Sequence, residues 1–239
     1  MTSKRTAMVI SAHSADFVWR AGGAIALYAE RGWEITVVCL SFGERGESAK
    51  LWREPGMTLE KVKAARKEEA ARAADILGAN VIFFDVGDYP MRVPDSILYQ
   101  LAGMYRKIRP EFILTHSLHD PYNFDHPLVS HLTQEARIVA QAHGHEPGTA
   151  VIGAPPVFLF EPHQPEQCEW KPQVLLDITT VWPKKYEAFQ AMSAQEHLWH
   201  YYERVALQRG VQASRNSNKN IKYAEAYQRI FPQVTEELA

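Results

Sequence analysis

Cysteine is scarce: Cys39 and Cys168 are the only two in 239 residues. Two isolated thiols make neither a disulfide framework nor a thiolate zinc site. Long hydrophobic runs are missing as well. No uncharged apolar stretch approaches the ~18 residues that a membrane helix needs, so no membrane span is expected. Nor is there an excess of one charge, since 26 Lys and Arg oppose 28 Asp and Glu for a net charge of −2. That balance argues against a nucleic-acid or membrane-surface binder and leaves room for a local basic pocket. The opening MTSKRTAMVI turns into a strand pattern too soon for a secretory leader, so the cytoplasm is the expected location. No internal repeat, low-complexity tract or composition shift marks a linker. Residues 1–239 therefore read as a single domain.

What the chain does have is alternation. Apolar runs at Ala7–Ala12, Glu34–Ser41, Val81–Phe84, Phe112–Thr115, Val157–Phe160 and Val174–Ile178 read as strands. Helical spacing fills Asp16–Arg31, Thr58–Leu77, Ser96–Ile108 and Asp125–Ala142, with Thr58 as an N-cap and Gly78 as a C-terminal stop. Phe42–Gly56 reads as a polar loop. Past Pro183 the spacing predicts helix over Lys184–Arg209 and Ile221–Ile230. The pattern predicts an α/β fold: a Rossmann-like, mostly parallel sheet with helices on both faces and a helical C-terminal part.

Histidine is abundant, and its distribution is uneven. Seven of the ten histidines fall between His116 and His163. Clustered histidine suggests a metal or proton-transfer site, but for any single one a wet loop is the plainer explanation. Position is more telling. Ligands in open parallel sheets bind beyond the carboxyl ends of the strands. Five successive strands deliver side chains there: His13 and Asp16; Glu44 and Glu47; Asp85 and Asp88; His116, His119, Asn123, Asp125 and His126; Glu161 and His163. His13 ends a strand, and Asp16 opens the following helix, so both can point into one crevice. His126 opens another helix. Two histidines and a carboxylate with open positions form a catalytic set for Zn²⁺ or a similar ion such as Fe²⁺ or Co²⁺.

The motifs carry a resemblance. SAHSADFVWRAGG resembles the Ala-His-Pro-Asp-Asp-Glu motif of the PIG-L (LmbE-like) zinc-dependent N-acetylglucosamine deacetylases. LSFGERGES resembles their Thr-x-Gly-Glu-x-Gly loop, and YNFDHPLV their His-Pro-Asp-His motif. LDITTVWPKKYEAFQAMSAQ resembles their closing segment. The resemblance implies a Rossmann-like fold and a metal held at His13, Asp16 and His126. Two departures stand out. The family's catalytic base falls on Ala15, and a methyl group accepts no proton. A histidine that supports the oxyanion falls on Asn123, which can still donate a hydrogen bond.

AHSADFVWRAGG, CLSFGERGESAKLW, DPYNFDHPL and FEPHQPEQCEW are similar to a hydratase branch of this family. That implies addition of water to a carbon–carbon double bond of an unsaturated tricarboxylate. Hydration needs a nucleophile active near pH ~7, which a catalytic metal supplies, and a carboxylate to replace the absent base. Glu44 and Glu47 are the candidates; Gly46 favours Glu47 by letting the loop approach, and Glu44 suits a role in the loop. A histidine on another strand end must protonate carbon. His163, between two prolines, is preferred, with His116 and His119 as second choices or substrate contacts. Arg20 and Arg45 are the preferred cations for substrate carboxylates. His131, His143, His145, His197 and His200 read as structural or exposed. Aromatic residues near the C-terminus (Trp199, Tyr201, Tyr202, Tyr223, Tyr227) make a homo-oligomer the expectation. Two alternatives stand beside the hydratase: an amide hydrolase using Glu47 as a displaced base, and a non-catalytic protein stabilised by its metal.

Overall fold

The computed structural model describes residues 4–235. The first three residues of the opening read against a leader lie outside the described residues. In chain order the elements are β1 (Thr6–Ser11), α1 (Asp16–Glu30), β2 (Glu34–Cys39), α2 (Ala49–Trp52), α3 (Leu59–Leu77), β3 (Asn80–Phe83) and α4 (Asp95–Ile108). Then follow β4 (Phe112–Thr115), α5 (Asp125–Gln141), β5 (Val157–Phe160), β6 (Val174–Asp177), α6 (Trp182–Ala191), α7 (Trp199–Arg215) and β7 (Ala224–Arg229). The seven strands form one sheet in the order β3-β2-β1-β4-β5-β7-β6. The first five pair in parallel, and β7 runs antiparallel to both β5 and β6.

Residue alternation sorts the two faces. Ala7 and Val9 of β1 join the core under α1, α3 and α6, whereas Met8 and Ile10 join the core under α4 and α5. With apolar layers on both faces, the central strands are continuous hydrophobic runs. Local signals set the helix ends. Thr58 Oγ1 accepts from Lys61 N, and Gly78 closes α3 at φ 80°. The sheet builds outward from β1 in both directions, toward β2 and β3 and toward β4 and β5. The connections therefore diverge at the carboxyl ends of β1 and β4, which leaves a crevice there.

The C-terminal part differs from the helical expectation. Ile221–Ile230 is not a helix; it contains β7. Ala224 through Tyr227 are buried without alternation because neighbouring strands and helices cover both faces, so period 2 is hidden. The predicted helix over Lys184–Arg209 is broken. Met192 ends α6, and a 3₁₀ segment at Ser193–Leu198 precedes α7, with Gln195 at φ −125°, ψ 35°. The Phe42–Gly56 loop holds the short helix α2. The aromatic residues offered for self-association mostly face inward: Tyr202, Tyr223 and Tyr227 are buried.

Candidate metal centre

β1 ends at Ser11, and the chain turns at once into α1. The turn is closed by His13 N donating to Asp16 Oδ2 at 2.9 Å. His126 stands in the first turn of α5, after β4, and Glu47 on the loop after β2. Each of these four offers a ligand atom, and all four atoms lie within 4.8 Å of one another. Two strand ends at the switch point and a loop from a third strand thus converge on one spot.

The imidazoles are oriented from behind. His13 Nε2 lies 3.2 Å from Asp125 Oδ2, and His126 Nδ1 lies 2.8 Å from Asp120 Oδ2. Asp125 is itself held by Tyr89 N and Met91 N. The opposite ring nitrogens, His13 Nδ1 and His126 Nε2, are buried without a hydrogen-bond partner. Both lie close to the Asp16 carboxylate, at 3.2 and 3.5 Å. Two orphaned nitrogens beside a buried carboxylate would be costly in a plain core. They fit a divalent cation, with outer carboxylates setting tautomer and basicity. The donors are nitrogen, nitrogen and oxygen, with Glu47 Oε1 3.1 Å from His13 Nδ1 at the cleft side.

Electrostatics binds the group further. Burial alone would lower His13, but the carboxylates of Glu47, Asp125 and Asp16 prevail and hold it well above its usual value. Burial would raise Asp16; the nearby imidazoles of His116 and His126 hold it well below. Glu47 is also lowered, because His13 outweighs burial. A cation binding here must displace the His13 proton, so binding releases protons.

A cleft of about 190 Å³ opens over Asp16, Glu47 and His126 and reaches Arg20, Asn123 and His163. His163 is half-buried, stacked on Tyr201 with ring centroids 4.1 Å apart, and its carbonyl accepts from the Tyr201 hydroxyl. Burial, then the charge of Arg20, lowers its pKa. Asn123 Oδ1 accepts from Asp125 N, so its carbonyl oxygen serves the start of α5. His116 lies under the site, accepting from Ala12 N and stacked on His126 at 4.1 Å.

Other candidates fall elsewhere. His119 is exposed and does not line the cleft; its contribution is a carbonyl that accepts from Ser117. Arg45 does not line it either. Its backbone N donates to Asp88, and its guanidinium turns to Glu44 at 3.5 Å. Glu44 is buried outside the metal-binding group, accepting from Phe42 N. Asp85 pairs with Lys63, and Asp88 anchors Arg45 N and Gly46 N. The third strand end therefore braces the Glu47 loop and sends no carboxylate to the metal-binding group. Gly46 matters for a reason spacing did not suggest: a Cβ there would lie 2.3 Å from the Tyr89 ring. Sequence reasoning missed Asp120 as an orienting group, although its six-residue offset from His126 was visible. It also missed Tyr89 and Tyr202, which reach the cleft from distant segments.

Residues 8–137 match the family model described as PIG-L, GlcNAc-PI de-N-acetylase. The chain belongs to the PIG-L family. Among curated relatives it is 66% identical to a 4-oxalmesaconate hydratase of Pseudomonas putida, over 100% of this chain and 94% of that protein. It is 24% identical, over 82% of this chain and 83% of the relative, to a probable N-acetyl-alpha-D-glucosaminyl L-malate deacetylase 2 of Bacillus anthracis. The crystal structure of GalB, the 4-carboxy-2-hydroxymuconate hydratase of Pseudomonas putida, superposes with a TM-score of 0.97 at 67% identity, covering 98% of this chain and all of that one. The N,N'-diacetylchitobiose deacetylase of Pyrococcus horikoshii shares the PIG-L fold at TM-score 0.78 and 20% identity, over 95% of this chain and 84% of that one. Hydratases and deacetylases thus share one scaffold.

Proposed function

We propose that this protein is a metal-dependent hydro-lyase that adds water to 4-carboxy-2-hydroxymuconate (4-oxalomesaconate), giving 4-carboxy-4-hydroxy-2-oxoadipate in aromatic-acid breakdown. The observation that carries it is the 66% identity, over the whole chain, to a 4-oxalmesaconate hydratase. The deacetylase reading has less support, because the position implied for its base is Ala15, fully buried in the core.

His13, Asp16 and His126 would hold Zn²⁺; Fe²⁺ and Co²⁺ suit the same donors. When bound, the ion supplies Lewis acidity that makes water nucleophilic near neutral pH. The chain's own residues do the rest. Glu47, beside the metal-binding group, accepts a proton from water as its oxygen attacks the carboxylate-bearing alkene carbon. The electron pair moves to the other alkene carbon, where the adjoining carboxylate stabilises it, and that carbon becomes basic. His163, which lines the same cleft, delivers a proton there. Arg20 and the Asn123 amide face the substrate's carboxylates, and His116 supports His126 from beneath.

The protein is expected to work in the cytoplasm as one domain in a homo-oligomer. Exposed Leu118, Tyr122 and Phe124 on one loop support self-association, and a light-scattering mass checks it. No helix among the described residues is long and apolar enough to cross a membrane. The deciding experiment offers the zinc-loaded protein the enol tricarboxylate and an N-acetyl amino sugar. Loss of the enol acid without acetate release is expected; acetate release with the enol acid untouched overturns the reading.

A further inference from the structure

Arg20 is a buried cation short of partners. It leaves the second turn of α1 with its side chain 6% exposed. Its Nη1 donates to the backbone carbonyl of Glu161 at 2.9 Å. Its Nε is buried without a hydrogen-bond partner, 3.4 Å from Asp16 Oδ1. The Asp16 carboxylate is shared with His13, His116 and His126 and belongs to the metal-binding group. The guanidinium lines the cleft.

Glu161 already touches Arg20 through its backbone carbonyl. Its side chain is held elsewhere. Arg209, on α7, donates through Nε to both Glu161 oxygens, at 3.0 and 2.9 Å, and through Nη2 as well. Gln212 Oε1 accepts from Arg209 Nη1 at 2.7 Å and fixes the fork. Both partners are largely buried, at 14% and 11% exposure, so this pair is not a loose surface contact. The result is asymmetric. Arg209 takes the Glu161 carboxylate through its fork, whereas the ion pair of Arg20 is with Asp16, at 3.4 Å.

We propose that Arg20 binds a carboxylate of the substrate, and that Arg209, without touching substrate, sets the affinity by holding the Glu161 side chain away from Arg20. The identity of the substrate rests on the function proposed above; the competition between Glu161 and an external anion does not require turnover. If Arg209 is removed, Glu161 becomes a tethered anion beside Arg20. A tethered group competes at high effective concentration. Arginine rather than lysine suits the cleft position, because a planar fork matches a carboxylate.

The test uses the full-length zinc-loaded protein and two readouts. One is KM and kcat with 4-carboxy-2-hydroxymuconate. The other is calorimetric binding of trans-aconitate, an unsaturated tricarboxylate that reports affinity without turnover. Arg20→Ala is expected to raise KM and the aconitate Kd by about 10–100-fold, as for loss of a charge-assisted contact, with zinc content unchanged. Arg209→Ala is expected to raise both by about tenfold, with kcat altered by less than about threefold, if an internal anion competes at Arg20. Arg209→Ala with Glu161→Gln is expected to restore the affinity, which a merely structural role for Arg209 would not do. Should Arg209→Ala fail to fold, Arg209→Gln takes its place with the same outcomes. Unchanged affinity in Arg20→Ala or in the Arg209 variant overturns the proposal. So does a double variant as weak as the Arg209 single. Aconitate binding that depends on Arg20 and Arg209, without turnover of the enol acid, supports this inference while overturning the hydratase reading.

Discussion

At position 15 a methyl group stands where the family resemblance places a base, and Glu47 reaches the same group of ligands from another strand end. Replacing the carboxylate alone should separate chemistry from metal binding. Glu47→Gln is expected to retain the metal and lower kcat by about 10²–10⁴-fold, the usual worth of a general base. Metal analysis alongside turnover checks it, and loss of the ion would instead make Glu47 a ligand. His163 gives a pH prediction. An acid works only while protonated, so activity falls as pH rises through its pKa. Burial and Arg20 lower that pKa in the free protein, so the falling limb of kcat/KM should lie below pH ~6.5. A bound tricarboxylate favours the imidazolium, so the limb of kcat should lie at higher pH. Profiles for His163→Ala should lose this limb; its persistence would assign it to another group. These residues were legible because strand ends and helix starts can be counted. Arg45 and His119 were not, because a loop side chain can turn either way from a known backbone position.

Helix α1 carries Asp16 and Arg20, and its placement depends on a buried acid in β7. Glu225 Oε1 accepts from Gly23 N at 2.6 Å and from Lys185 Nζ at 2.6 Å. Its Oε2 accepts from Ala24 N at 2.8 Å and from the Tyr227 hydroxyl at 2.6 Å. One carboxylate thus ties α1, α6 and β7 together, where a Cβ on Gly23 would meet Ile178 at 2.7 Å. Lys185→Met leaves that carboxylate buried without its cation. It is expected to cost about 3–5 kcal/mol of stability by denaturant unfolding. Adding Glu225→Gln should recover part of the loss, and additive costs would contradict the coupling. The same acid explains why β7 reads as helix in sequence. A charged residue amid buried alanines breaks the alternation that marks strands, and only the contacts to α1 and α6 show why it is tolerated.

For the molecule as a whole, the ligands come from segments more than a hundred residues apart, so a metal ion cross-links much of the chain. The unfolded state has no such constellation, and binding energy becomes folding energy. Stripping the ion with a chelator is expected to lower the melting temperature, and added zinc should restore it. At zinc 100-fold above Kd the gain is about 2.7 kcal/mol. His13→Ala, lacking a ligand, should melt at the same temperature with and without zinc. A zinc response preserved in that variant would place the ion elsewhere. The Asp88 and Asp125 bridges carry this linkage through the loops, joining the Glu47 loop and the Tyr89 turn to the first histidine.

By itself the sequence determined the βα alternation, the mostly parallel sheet, the switch-point crevice and the motif resemblance, because periodicity and motif spacing are local properties. It also placed His13, Asp16, Glu47 and His126 on the same edge. Tertiary structure decided what those residues face: which imidazole nitrogens are left free, which carboxylates stand behind them, and that Glu161 is pinned by Arg209 while Arg20 is not. Those outcomes are set by contacts between distant segments in a low-dielectric interior. There an angstrom of displacement or one competing partner changes a group's role.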